Sequence, residues 1–113
     1  MTSAPFPGES VERYDVTARR DSDYYAVFAD IPADDRAAWD RARAYVDEVA
    51  PQMREAWDRA EYPLEAAAKM GEYDLVVDGI EHADLTRLSP LAAGLVNMEI
   101  SRGDGSLGTI LAV

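Results

Sequence analysis

Between residues 39 and 57 of this 113-residue chain, apolar side chains recur at steps of three and four. They are Trp39, Ala42, Val46, Val49, Met53 and Trp57. That spacing places all six on one face of a long amphipathic α-helix, with Trp39 and Trp57 as core or interface residues. Asp34 or Asp35 is expected to cap the first amides of this helix. Pro51 interrupts the pattern without shifting its register, which favours a kink over a break.

Proline and glycine mark the second helix. Pro63 is expected at its first position, where a missing amide costs nothing, and Gly71 at its end. The stretch 75–80 is a short apolar insert that fits a brief extended segment or a turn, and 81–88 is a polar loop. Before the first helix, residues 24–31 form a small apolar patch that is either a short helix or an extended arm docked on the body.

A serine–proline pair starts the third helix, with Ser89 as the cap and Pro90 at the first position. Residues 91–100 are apolar on nearly every side, which is typical of a central helix with neighbours on several faces. Gly94 would let one of those neighbours come close. Together these elements predict an all-α fold.

Residues 102–106 read Arg-Gly-Asp-Gly-Ser and lead into a fourth helix, expected over 107–113. They superficially resemble a phosphate-binding loop, but the introducing strand and the lysine of such a loop are absent. A tight connection between two helices is therefore the better interpretation. Gly103 would end one helix, and Asp104 or Ser106 would cap the next.

The acidic balance of the chain argues against several kinds of partner. Eleven basic against 22 acidic residues leave a formal charge of −11, whereas nucleic acids and anionic membranes attract basic surfaces. The chain has no cysteine, which excludes disulfides and cysteine-based zinc sites. No apolar stretch approaches the roughly 20 residues that span a bilayer, and the start lacks a secretory signal. We therefore expect a soluble cytoplasmic protein, with neither nucleic acid nor membrane as partner.

No set of residues in this chain predicts catalysis or metal binding. His82 is the only histidine and lies in a polar loop without carboxylates at metal-ligand spacing, so a solvated surface position is expected. Glu99 and Arg102 stand three apart on a helix and can pair, which would satisfy two polar groups on an otherwise apolar element. We predict no catalytic residue and no metal ligand, and a general-base role for Glu99 is the weaker alternative.

The chain finishes in an apolar segment, Gly-Thr-Ile-Leu-Ala-Val at 108–113, whereas domain ends are usually polar. A helix this short is marginal by itself, so we expect the front piece of a larger protein. Residues 1–33 would be a tail and docking arm, and residues 34–113 a truncated helical domain. The alternative is a stand-alone acidic helical module that binds a protein partner through its exposed apolar faces. A stand-alone enzyme would need a catalytic constellation that the sequence does not show.

Several segments, in this order, resemble the opening of the acyl-CoA dehydrogenase family. Residues 46–51 read Val-Asp-Glu-Val-Ala-Pro and are similar to the family's E-V-x-P-like turn, and Glu61-Tyr62-Pro63 then begins a short second helix. Residues 97–106, Asn-Met-Glu-Ile-Ser-Arg-Gly-Asp-Gly-Ser, resemble the family's E-x-x-R-x-D-x-S segment, most closely in the glutaryl-CoA dehydrogenase-like branch. The resemblance covers about residues 34–113.

The resemblance implies an N-terminal helical-bundle domain, incomplete at its C-terminal end, followed in the parent protein by a β-domain and a C-terminal helical domain. It further implies FAD bound mostly by those other domains, an acyl-CoA substrate, an electron-transfer acceptor and a homotetramer. In the family, a glutamate of the C-terminal part removes the α-proton of the acyl-CoA thioester. The β-hydrogen leaves as hydride to the flavin, which produces the 2-enoyl-CoA. Glu99 does not match the context of that glutamate, so this piece would be structural, inactive alone, and one wall of the acyl pocket.

The resemblance also indicates three substrate-binding positions. In glutaryl-CoA dehydrogenases an Arg-Ser pair after the D-x-S element holds the distal carboxylate of the substrate. Counting from Glu99, that pair falls on Gly108 and Thr109, and a third pocket position falls on Ala112. Because no arginine stands at position 108, the sequence argues against a dicarboxylic substrate. The chain also departs from the family between 75 and 89, where it has Gly79 alone in place of a glycine-rich turn.

Overall fold

The computed structural model describes residues 23–76 and 83–113, which form four α-helices and no β-strand. The helices are α1 (Ala33–Asp58), α2 (Leu64–Glu72), α3 (Pro90–Gly103) and α4 (Gly105–Ala112). The predicted all-α fold is confirmed for this part of the chain. The tail 1–22 and residues 77–82, which include part of the predicted insert and His82, lie outside the described residues. Within the described ranges, no helix combines the length and the apolar character needed to cross a membrane.

The first helix, α1, continues through Pro51, which is exposed, so the chain does not break there. Its start differs from the prediction, because Pro32 is the N-cap residue and no side chain caps the helix. Asp34 and Asp35 lie in the first turn instead, where carboxylates favour the positive end of the helix dipole. Asp35 is buried and accepts a 2.8 Å hydrogen bond from the Ser89 hydroxyl, which ties the start of α1 to the start of α3.

One face of α1 forms the centre of the hydrophobic core. Its buried residues there are Ala38, Ala42, Tyr45, Val46, Val49 and Met53. The other elements contribute Ala66, Met70, Leu75, Leu88, Ala92, Val96, Ile100 and Leu107. The most extensive helix contact is between α1 and α3, followed by α3 with α4. Full burial of one large aliphatic side chain stabilises a fold by about 1.5–3 kcal/mol, so this shared core holds the helices together.

The second helix, α2, ends later than predicted, since Gly71 lies inside it and Glu72 is its last residue. Pro63 is the N-cap residue, one position earlier than expected. The chain reverses at Asp74, whose φ of 58° lies in the left-handed region that residues other than glycine rarely adopt. The Asp74 carboxylate accepts a 3.0 Å hydrogen bond from the Thr86 amide, and hydrogen bonds from Thr86 lower the pKa of Asp74. This contact joins the two ends of the connection between α2 and α3.

The start of α3 confirms the predicted serine–proline cap. Ser89 is the N-cap residue, and its hydroxyl accepts a hydrogen bond from the backbone amide of Ala92. Pro90 follows at the first position of the helix. As expected for a helix with neighbours on several faces, α3 packs against both α1 and α4, while Leu91 and Met98 remain 48% and 43% exposed. The expected close approach at Gly94 is wrong, since a Cβ placed there would meet no atom within 4 Å. In the described part of the chain, α3 has neighbours on some faces only.

The segment before α1 is a series of turns that docks through Phe28. The Phe28 ring packs on Trp39, with 5.0 Å between ring centroids. The Asp23 carboxylate accepts hydrogen bonds from the amides of residues 27 and 28, which holds the turn together. Tyr24 and Tyr25 point away from the body and are 92% and 84% exposed. Within the apolar patch predicted at 24–31, it is therefore Phe28 whose ring packs on α1, whereas the two tyrosines do not dock there.

Candidate functional site

Asp104 organises the connection between α3 and α4. Its Oδ1 accepts hydrogen bonds from the backbone amides of Ser106 and Leu107, at 2.8 and 3.1 Å, so Asp104 is the N-cap of α4. Its Oδ2 accepts a 2.7 Å hydrogen bond from the indole Nε1 of Trp57. Burial alone would raise the pKa of Asp104, but the hydrogen bonds from Ser106, Trp57 and the two amides outweigh it and lower the pKa. The predicted tight connection is confirmed, with Asp104 as its cap.

Trp57 lies at the surface, with 67% of its area exposed, so its predicted place in the core is wrong. The helical spacing is correct, but it does not say what lies opposite the last turn of α1. There α3 has already ended at Gly103, and the indole meets the polar start of α4 instead. The interface alternative for Trp57 stays a prediction.

Glu99 is a buried carboxylate, only 3% exposed, between α3 and α1. Its Oε1 accepts hydrogen bonds from Nε and Nη2 of Arg102, at 2.9 and 2.6 Å. Its Oε2 accepts a 3.2 Å hydrogen bond from the Trp39 indole and lies 3.8 Å from Nε of Arg43. The Arg43 guanidinium also stacks 4.0 Å above the Trp39 ring centre. The predicted Glu99–Arg102 pair is confirmed, and both carboxylate oxygens are engaged, which supports a structural role.

Two glycines bring the helices into close contact. A Cβ on Gly103 would lie 2.6 Å from Cγ1 of Val46, so α1 touches the end of α3. A Cβ on Gly108 would lie 2.0 Å from Oγ and 3.2 Å from Cα of Ser101. Interiors pack without room for such overlaps, so both positions need glycine unless a helix moves. The Gly108 carbonyl also accepts a 3.2 Å hydrogen bond from the Asn97 amide, which fixes α4 against α3.

An open cleft lies between α3, α4 and the chain on either side of residues 77–82. It encloses about 350 Å³, within the range of about 300–1,000 Å³ usual for small-molecule pockets. Its lining is Leu75, Val76, Leu88, Pro90, Ala93, Gly94, Val96, Asn97, Leu111 and Ala112. Among these described residues only Asn97 has a polar side chain, and that side chain already bonds the Gly108 carbonyl and the Ser101 hydroxyl. The side chains of the cleft therefore suit an aliphatic group, although backbone groups add polar surface to the lining.

The structure separates the three predicted substrate-binding residues. Ala112 lines the cleft. Gly108 is buried against α3 and is not part of the lining. Thr109 is exposed, and its hydroxyl donates a 2.9 Å hydrogen bond to the Gly105 carbonyl within α4. In this structure only Ala112 is placed beside the cleft, and the substrate role of all three residues stays a prediction.

Sequence reasoning missed the cleft residues that α3 provides. Ala93, Gly94 and Asn97 follow the spacing of one helix face, which is a usable signal. Because α3 is apolar nearly all round, that spacing did not reveal which face was covered and which lined a cavity. No local pattern in the sequence predicts that Leu75 and Leu88 line the cleft. These two residues are distant in sequence, and the fold brings them together.

At the connection between α3 and α4, the groups that could bind the phosphates of a flavin are already engaged. The phosphates of a flavin dinucleotide need free backbone amides or available cations. The first amides of α4 donate to Asp104, and Arg41 donates to two backbone carbonyls at the end of α2. Arg43 and Arg102 are engaged by Glu99. Over 23–76 and 83–113 there is likewise no group of three His, Asp or Glu side chains that could hold a metal ion.

A family model described as the N-terminal domain of acyl-CoA dehydrogenase matches residues 32–113. The chain belongs to the acyl-CoA dehydrogenase family. The matched range includes all four helices, the Asp104 connection and the cleft. Searches of curated proteins and of solved structures found no match.

As an acyl-CoA dehydrogenase N-terminal domain, the chain is part of an oxidoreductase family and has the expected all-α fold. The segments that carried the resemblance, 46–51, 61–63 and 97–106, all lie inside the matched range. The glutamate and arginine of the third segment bond each other at the α1–α3 interface. The glutaryl-CoA branch stays a prediction.

Proposed function

We propose that the cleft between α3 and α4 forms one wall of the acyl pocket in a flavin-dependent acyl-CoA dehydrogenase, which oxidises an acyl-CoA thioester to the 2-enoyl-CoA. The observation that carries this proposal is a cleft of about 350 Å³ within the family's N-terminal domain, whose described lining has no polar side chain other than that of Asn97. An acyl chain gains about 0.8 kcal/mol for each CH₂ group removed from water, so such a lining favours it. The implied pathway is the oxidation of fatty acids or related acyl groups.

In this proposal the four helices bind the acyl chain and exclude water, and other parts of the parent protein supply the chemistry. Glu99 is buried among Trp39, Arg43 and Arg102, so it is not offered to a substrate. The proposed FAD contacts and the base belong to the β-domain and the C-terminal helical domain. A cytoplasmic homotetramer that passes electrons to an electron-transfer acceptor completes the proposal, and this part rests on the family alone.

The structure also supports an uncharged acyl group. Among the described lining residues no cation is present that could pair with a distal carboxylate. Position 108 is a glycine buried against α3, and the Thr109 hydroxyl is bonded within its own helix. A buried charge without a partner is costly, so we propose a monocarboxylic acyl group as the substrate.

The test uses the full-length protein and follows the reduction of an artificial electron acceptor by a series of acyl-CoA thioesters. Ala112→Trp fills the cleft, and Ala44→Trp is the matched control, an exposed alanine of α1 outside the lining. We expect the first change to lower kcat/KM by about tenfold or more and the second to leave it within about twofold. Equal kcat/KM values for the two variants would remove the cleft from the acyl pocket.

A binding module is the second candidate, and the exposed apolar side chains of α3 and α4 favour it. Leu91, Met98 and Ile110 are each 43–48% exposed, and such groups often mark an interface. The same groups would equally pack against the rest of a dehydrogenase. A full-length protein that lacks flavin and turns over no acyl-CoA would leave the module as the remaining function.

A further inference from the structure

Gly94 is a feature of α3 that packing does not require. It lies inside the helix, where glycine is about 1 kcal/mol less favourable than alanine. A Cβ at this position would meet no atom within 4 Å, whereas Gly103 and Gly108 have neighbours at 2.6 and 2.0 Å. A helical backbone also gives glycine no conformational advantage here. Neither close contact nor backbone geometry therefore explains a glycine at position 94.

The open space beside Gly94 is the cleft. Gly94 belongs to its lining, beside Ala93 and one turn before Asn97 on α3, with Leu111 and Ala112 on α4. A Cβ at position 94 would lie in open space on the lining of this cleft. The absence of a side chain therefore adds directly to a cleft of about 350 Å³.

We propose that Gly94 is a specificity-determining residue that keeps the cleft wide enough for aliphatic acyl groups larger than butyryl. This inference rests on the function proposed above. In this proposal a butyryl group binds without reaching the space at Gly94. Longer chains use that space, and each methylene refused by an apolar pocket costs about 10–200-fold in kcat/KM.

The test compares Gly94→Leu with the matched control Gly71→Leu in the full-length protein. Gly71 is also an exposed helical glycine whose added Cβ would meet nothing within 4 Å, and it lies outside the cleft. Leucine is a better helix former than glycine, so both variants are expected to fold. Gly94→Ala adds a single carbon at the same place and should give a smaller change in the same direction.

We expect Gly94→Leu to lower kcat/KM for octanoyl-CoA by about tenfold or more, mainly through KM, and to leave butyryl-CoA within about twofold. Gly71→Leu should leave both substrates unchanged. If the wild type is active and Gly94→Leu changes neither substrate or both equally, this inference is overturned while the proposed function stands. A wild type that is active on butyryl-CoA alone overturns it as well. A wild type that oxidises no acyl-CoA overturns the proposed function, and this inference with it.

Discussion

The indole Nε1 of Trp57 lies 2.7 Å from Oδ2 of Asp104 and donates a hydrogen bond to it. Trp57 is in the last turn of α1, and Asp104 is the residue that caps α4. One carboxylate therefore closes the connection between α3 and α4 and also fastens the end of α1 to it. An aromatic residue whose spacing indicated a core or interface position is held at the surface of this domain by a polar contact.

Replacing Trp57 with phenylalanine removes this hydrogen bond and keeps an aromatic ring. We expect the free energy of unfolding to fall by about 1 kcal/mol, since the pair is exposed although its acceptor is charged. Urea unfolding of the full-length protein measures the change. In an Asp104→Ala background the same substitution should cost less than about 0.5 kcal/mol. An equal cost in both backgrounds would show that the hydrogen bond contributes nothing.

Asp104 should also make stability depend on pH. Its folded pKa lies below the ordinary value of 3.8, so the unfolded chain takes up the proton first as the pH falls. The stabilisation is therefore complete above the unfolded pKa and is lost as the pH falls through the folded pKa, a decline that begins near about pH 5. Asp104→Asn keeps a capping side chain but removes the titrating group, so it should reduce this decline.

Urea unfolding at about pH 6 and about pH 3 tests the pH prediction. Some acid sensitivity should persist in Asp104→Asn, because hydrogen bonds from Lys69 and Tyr73 lower the pKa of Glu48 as well. An Asp104→Asn protein that loses as much stability in acid as the wild type would contradict the role given to Asp104.

Glu99→Gln tests the buried cluster. The substitution removes the buried charge that pairs with Arg102 and Arg43, while Arg43 keeps its exposed partner Asp40 at 3.9 Å. We expect a loss of roughly 2–4 kcal/mol, below the upper range for a fully buried pair because both arginines retain some exposure. Glu55→Gln is the exposed control on α1 and should change stability by less than about 0.5 kcal/mol. Thermal or urea unfolding of both variants decides the question.

The glycines offer a matched pair of Gly→Ala substitutions. Gly108→Ala puts a Cβ within 3.2 Å of the Ser101 backbone and closer still to its hydroxyl, so we expect a loss of about 1–3 kcal/mol. The Cβ added by Gly71→Ala inside α2 meets no atom within 4 Å, so this variant should unfold with a free energy about 0.5–1 kcal/mol higher. Differential scanning calorimetry of the two variants should give shifts in melting temperature of opposite sign. Two shifts of the same sign would mean that α4 can move away from α3 without cost.

Much of the fold followed from local signals in the sequence. The Ser89–Pro90 start of α3 and the Asp104 cap of α4 depend on side chains that bond amides two or three residues away. The Glu99–Arg102 pair depends on helical spacing within a single turn. The predicted cap of α1 was wrong because the partner of Asp35 is distant in sequence. Asp35 accepts a hydrogen bond from Ser89 on another part of the fold and does not cap the helix.

By itself, the sequence determined the helices, the face of α1 that is mostly buried and the family to which the chain belongs, because helical periodicity, caps and motif order are properties of near neighbours along the chain. Tertiary structure alone decided what lies opposite each face. It exposed Trp57, pressed Gly108 against Ser101 and left Gly94 facing an open cleft. A repeat of 3.6 residues defines the direction of a side chain from its helix axis, but not whether another helix, solvent or a cavity lies in that direction.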